Sequence, residues 1–319
     1  MKASLTGGGL PASGLERWLY ALKPASWPKL FVPALFGQLL GATGSAGLDL
    51  RALGWGLGFT FFGLGFIVLL NDWGDREVDT IKREMFPDGC SPKTIPDKIL
   101  DGRAVAVAGL LFGGAALLLA AGAEVALRRP LAFEGGVLSM FVFVAYTLPP
   151  IRLNYRGGGE LLEMFGVGVA LPIYNAYLQA GSVVPAIWIW VAGFALLSLA
   201  SGVASGLSDE ESDRAGGKRT FASVFGNAAA RKLSEACVLL GGAIWLGAAA
   251  VRPNWAPPLA VLPALLVLLW NFVAMRRVSE SAVTNAFQAQ AEYKSFLHRA
   301  IWHSTILAAL LIWLRLVFQ

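Results

Sequence analysis

Two acidic runs hold the residues of this 319-residue chain best suited to chemistry. The first is Asn71-Asp72-Trp73-Gly74-Asp75-Arg76-Glu77-Val78-Asp79, and the second is Ser208-Asp209-Glu210-Glu211-Ser212-Asp213. On a helix turning about 100° per residue, Asp72, Asp75 and Asp79 fall in one narrow arc, and so do Asp209 and Asp213. One such run alone reads equally well as a solvated helix end. Two runs with the same alignment read as a binding centre, because five convergent carboxylates repel one another unless cations lie between them. The two cysteines, Cys90 and Cys237, and the two histidines, His298 and His303, lack metal-ligand spacing. Hard oxygen donors without soft partners point to Mg²⁺, which completes its shell with water and substrate phosphates.

Cations accompany both runs. Lys218 and Arg219 follow the second, and Arg152 and Arg156 lie in a separate short connection. These four are assigned to a diphosphate, with Lys218 and Arg152 the leading pair. Lys82, Arg83, Lys93, Arg231 and Lys232 are explained as well by membrane topology.

The elements that must carry these residues are apolar. Hydrophobic residues make up 56% of the chain and charged residues 15%, with a mean hydropathy of +0.60. The charges cluster between long uncharged stretches, the pattern of an all-α polytopic membrane protein. Nine spans are read, at 30–47, 52–70, 104–123, 131–149, 161–178, 184–207, 234–251, 257–275 and 300–317. Of the 26 Lys and Arg, 21 fall on the side of the N-terminus and five on the other. That asymmetry predicts a cytoplasmic N-terminal segment at 1–29 and an active site facing the cytoplasm. It also accounts for the net charge of +5 without a nucleic-acid partner. The whole of 1–319 is read as one domain, with 276–299 a polar connection, a surface helix or linker without chemistry.

Both acidic runs end spans, the second and the sixth, which suggests a duplicated four-helix unit. Their place at one membrane surface disfavours a cation-binding transporter, whose ionisable groups usually lie near the midplane.

With these motifs the chain resembles the UbiA superfamily of intramembrane prenyltransferases over essentially its full length. Asn-Asp-x-x-Asp-x-x-x-Asp at 71–79 and Asp-x-x-x-Asp at 209–213 match that superfamily's two motifs. Asp213-Arg214-x-x-Gly217-Lys218-Arg219-Thr220-x-Ala222 and Tyr155-x-Gly157-x-Gly159-Glu160 look like the dihydroxynaphthoate prenyltransferases. The spacing of 71–79 and Tyr146-Thr147-Leu148-Pro149-Pro150-Ile151-Arg152-Leu153 look like the chlorophyll synthases. Ser205-Gly206 stand where the former group has an Asn pair, and Phe86–Ser91 replaces an Arg-Pro-x-x-Ser-Gly segment.

The resemblance implies a UbiA-type bundle in a membrane, here a bacterial inner membrane. It implies Mg²⁺-dependent transfer of a prenyl group from a prenyl diphosphate to an aromatic acceptor. Two Mg²⁺ would be held, one by Asp72, Asp75 and Asp79 and one by Asp209 and Asp213, with Asn71 positioning a carboxylate or a water. Trp73, Tyr146, Phe165, Tyr174 and Tyr177 are candidates to shield an allylic cation, and His303 is assigned a structural role. A membrane terpene cyclase, with no aromatic acceptor, is the alternative.

Overall fold

The computed structural model describes residue 11 and residues 13–45, 47–183, 185–254 and 256–317. Lys2 and the rest of 1–10, part of the expected cytoplasmic segment, lie outside the described residues. Every regular element among the described residues is helical.

Each of the nine expected spans is a helix: α2 (Pro28–Ala42), α3 (Leu50–Gly74), α5 (Gly102–Leu127), α6 (Ala132–Thr147), α7 (Gly159–Ala180), α8 (Ile187–Ser205), α11 (Asn227–Val251), α12 (Pro258–Ser279) and α13 (Phe287–Val317). Short helices α1 (Gly14–Ala21), α4 (Arg76–Met85), α9 (Glu210–Ala215) and α10 (Phe221–Phe225) lie between them. Seven of the spans are long and apolar enough to cross a membrane. The other two, α2 with 15 residues and α6 with 16, reach about 23 Å, short of a hydrocarbon core of about 30 Å.

The helices start where the sequence can satisfy free backbone N–H groups. Asp49 accepts from the amides of Arg51 and Ala52, and Asp101 from those of Arg103 and Ala104. Ser13 and Glu16 form a reciprocal capping box on α1. The outward faces are apolar: Val125 is 81% exposed and Trp270 79%. Lipid is the solvent these side chains suit.

Close backbone contact sets the packing of α2. A Cβ on Gly37 would stand 2.1 Å from the Pro172 carbonyl oxygen, and one on Gly41 would stand 2.6 Å from that of Ala176. Both contacts rise together along the two chains, so α2 and α7 run parallel. Small residues permit this approach, as is general for helices in lipid.

The polar stretch 276–299 is not a separate surface helix. α12 continues to Ser279 and α13 begins at Phe287, leaving only a short turn between them. Polar side chains are tolerated there because they bond inward. Ser279 donates to Glu235 at 2.6 Å, Thr284 to Glu210 at 2.7 Å, and Gln290 to the Val283 carbonyl at 2.7 Å.

Candidate active site

α3 leaves its span into α4 across a break at Asp75, whose φ and ψ are −97° and 7°. The helical bonds persist across it, from Asp75 N to Asn71 O and from Asp79 N to Asp75 O, each 2.8 Å. Asp72, Asp75 and Asp79 therefore keep one face despite the break. α8 leads into α9 through a 3-10 turn at Gly206–Ser208, and Asp213 N bonds Asp209 O at 2.7 Å. The two motif helices touch each other: a Cβ on Gly216 would stand 2.6 Å from Val78 Cγ2.

All five aspartates and Asn71 line one cavity of about 440 Å³. Its deeper wall is apolar, with Phe59, Leu64, Phe66, Met140, Phe143 and Leu171.

Lysines tie the motifs to each other. Lys218 donates to Asp75 at 2.7 Å, and Lys82 of the first motif's helix donates to Asp209 of the second. Lys93 donates to Asp79 at 2.6 Å, and Lys23 donates to Asp72. Lys23 reaches it from a left-handed residue, with φ of 49°, an uncommon conformation that accumulates at functional sites. Neutral donors complete the set. Thr94 donates to Asp72 at 2.6 Å, Tyr155 to Asp75 at 3.0 Å and Thr220 to Asp213 at 3.1 Å. Asn71 donates to Asp75 at 3.3 Å and accepts from Thr147 at 2.9 Å.

The electrostatics differ from one carboxylate to the next. Burial would raise Asp209, but Lys82, Lys93 and Lys294 hold it well below the usual carboxylate range. Asp79 is raised by burial, against the pull of Lys93. Asp213 is pushed up to about 7, by burial and by the nearby Asp209 and Asp75, although Lys218 opposes the shift. Lys218 itself is raised, because Asp75 and Asp213 outweigh the burial that would lower it.

The donor set fits Mg²⁺. Among the described residues no three acidic or soft side chains form a complete metal cage. The carboxylates of both motifs instead line a common cavity, and Mg²⁺ held by few protein carboxylates takes the rest of its shell from water and substrate phosphates. A cation near Asp213 would also offset the burial and the charges of Asp209 and Asp75 that push its carboxyl up.

Of the expected cations, only Lys218 lines the cavity. Arg152 lies over the Tyr155 ring at 3.5 Å and donates to the Gly74 carbonyl at 2.9 Å, bracing the break after α3. Arg156 and Arg219 are exposed. Lys23, Lys29, Lys82 and Lys93 line the cavity in their place. For Lys82 a signal was present, since it continues the motif's face one turn beyond Asp79. Lys23 and Lys93 approach from distant loops and left no local pattern.

Among the expected aromatic residues, only Tyr146 lines the cavity. Trp73 lies beneath Arg76 and packs toward α1. Phe165 is exposed, Tyr174 packs 4.6 Å from Phe59, and the Tyr177 hydroxyl donates to the Pro130 carbonyl. His303 is exposed.

Residues 30–315 match the model of the UbiA prenyltransferase family. A 1,4-dihydroxy-2-naphthoate octaprenyltransferase of Escherichia coli (strain K12) is 28% identical over 293 residues, 86% of this chain and 92% of that one. A chloroplastic chlorophyll synthase of Oryza sativa subsp. japonica is 25% identical over 214 residues, but this chain spans only 54% of its length. A UbiA homolog from Archaeoglobus fulgidus, solved bound to GPP and Mg²⁺, superposes with a TM-score of 0.65 at 18% identity, covering 89% of this chain and 99% of that one. A structure of the same homolog bound to DMAPP and Mg²⁺ gives a TM-score of 0.63 at 18% identity, with the same coverage.

Proposed function

The chain belongs to the UbiA prenyltransferase family, and on that basis we propose that it alkylates a hydroxylated aromatic acceptor with a prenyl diphosphate, using two Mg²⁺ at the cytoplasmic face of a bacterial inner membrane. The observation that carries this reading is the shared cavity. Its head is lined by both aspartate motifs and its depth by Phe59, Phe66, Met140 and Leu171. A diphosphate suits the first region and an isoprenoid tail the second.

Asp72, Asp75 and Asp79 would hold one Mg²⁺, and Asp209 with Asp213 the other. When bound, the ions neutralise the charge that builds on the leaving diphosphate. Lys218 and Lys82 are placed to take up diphosphate oxygens as they exchange partners with the motif carboxylates. The apolar walls exclude water from an allylic cation, and the rings of Phe143 and Tyr146 offer it π faces. Asn71, fixed between Thr147 and Asp75, holds that carboxylate in orientation.

The acceptor class draws support from the dihydroxynaphthoate relative, which is matched over nearly its whole length. Mass spectrometry of products from a panel of hydroxylated arenes and prenyl diphosphates tests it. Wild-type protein is expected to yield a prenylated arene. Asp72→Ala and Asp209→Ala should each lower turnover by about 100-fold or more while the protein still purifies folded. EDTA should abolish activity, and added Mg²⁺ should restore it. Full activity in either variant would overturn the two-motif site. A cyclic hydrocarbon or alcohol formed without acceptor would replace transfer by cyclisation.

A further inference from the structure

Two carboxylates of the cavity belong to neither motif, Glu160 and Glu163, and Glu160 accepts from the Phe221 amide at 2.6 Å. Glu163 stands one turn into α7, lines the cavity and pairs with Lys29 Nζ at 2.6 Å. Lys29 lies at the start of α2 and reaches Ser205 Oγ at 3.5 Å. Charged groups inside a spanning segment are costly to keep, and by default they mark function. Fastening α2 to α7 does not require this pair, because the helices already meet backbone to backbone at Gly37 and Gly41. Room for the carboxylate is kept by a glycine on α8: a Cβ on Gly202 would stand 3.2 Å from Glu163 Oε1.

The position is specific. Along α7 the cavity wall passes from Glu160 and Glu163 to Gly166, Val167 and Leu171. Glu163 is thus the last charged group before the apolar depth. The rings of Phe143 and Tyr146, nearly parallel at 22° with centroids 6.3 Å apart, face the same cavity. An aromatic ring resting against them would present its substituents to the wall that holds Glu163, since Glu160, nearly a turn earlier, is engaged by the Phe221 amide.

We propose that Glu163 contacts the hydroxyl of the acceptor and takes its proton. The assignment rests on the transferase reading above and narrows the acceptor to an arene whose O–H is conjugated with the alkylated carbon. In the step, the O–H proton moves to Glu163 as the ring carbon bonds to C1 of the prenyl group. The C1–O bond breaks, and its electron pair leaves with the diphosphate. The resulting ketone loses its ring C–H proton to a diphosphate oxygen, and the regenerated oxyanion recovers the proton held by Glu163.

The test uses the full chain in lipid nanodiscs with geranyl diphosphate, Mg²⁺ and 1,4-dihydroxy-2-naphthoate. Glu163→Gln should lower kcat/KM for the acceptor by about 100-fold, with Glu163→Asp recovering part of that loss. The dissociation constant for geranyl diphosphate with Mg²⁺, measured without acceptor, should stay within about twofold in both variants. Unchanged acceptor kcat/KM in Glu163→Gln would overturn the assignment. So would a matching loss of geranyl diphosphate binding, which would make Glu163 a structural residue. If wild-type protein alkylates no hydroxylated arene, the transferase reading itself fails, and that failure is seen before any variant is compared.

Discussion

Asp213 is the residue whose behaviour should be most visible in solution. Its carboxyl is raised to about 7, and only the ionised form binds a cation. Lowering the pH through 7 should therefore weaken Mg²⁺. At limiting Mg²⁺, activity should rise through about pH 7 and then level off, and at saturating Mg²⁺ the rise should move to lower pH. A Mg²⁺ titration at several pH values checks this, and Asp213→Asn should remove the inflection. The sign for stability is opposite to that of a salt-bridged aspartate. Between the ordinary aspartate value and about 7, the folded chain binds this proton more readily than the unfolded chain. Stability without metal should accordingly fall as pH rises through that window. The aspartates were legible in sequence because spacing alone aligns carboxylates on a helix. Their cations were legible only in part. Lys218 follows its motif closely, whereas Lys23 and Lys93 depend on how distant loops return. Arg152 had the right charge, yet the turn after α6 aims it at Tyr155 and the Gly74 carbonyl.

At the scale of elements, the parallel pair α2 and α7 is the most sensitive contact. Gly37→Leu would force side-chain atoms against the Pro172 carbonyl and should destabilise the fold by about 1–3 kcal/mol. Thermal unfolding in detergent, compared with Gly54→Leu at a glycine with open space around it, checks the value. All nine apolar segments were legible as helices from hydropathy. The extent of α12 and α13 was not, because their polar ends satisfy one another through side chains such as Ser279 with Glu235. Hydropathy averages charge over a window and cannot tell a solvated linker from a bonded helix end. The break at Asp75 was equally hidden, since backbone bonding continues through it.

For the whole molecule, the charge asymmetry predicts a cytoplasmic start, and the short α2 is where that topology is most open to test. Ser45→Cys, just past α2, should react with a membrane-impermeant maleimide in intact cells, in a background with Cys90 and Cys237 replaced. Ser13→Cys should react only after lysis. Labelling of both from the same side would show that α2 does not cross. The reciprocal lysine ties also bear on order of arrival. Four of the five motif aspartates are each bonded to a lysine, so the cations at the head of the cavity are already paired. A bare diphosphate must break those pairs and leave carboxylates without a cation, whereas the same group already carrying divalent ions supplies each freed carboxylate with one. Traffic through this site should therefore be of preassembled metal–diphosphate complexes, inward with the prenyl chain attached and outward without it, and a surplus of unmetallated diphosphate in solution should be a poor competitor.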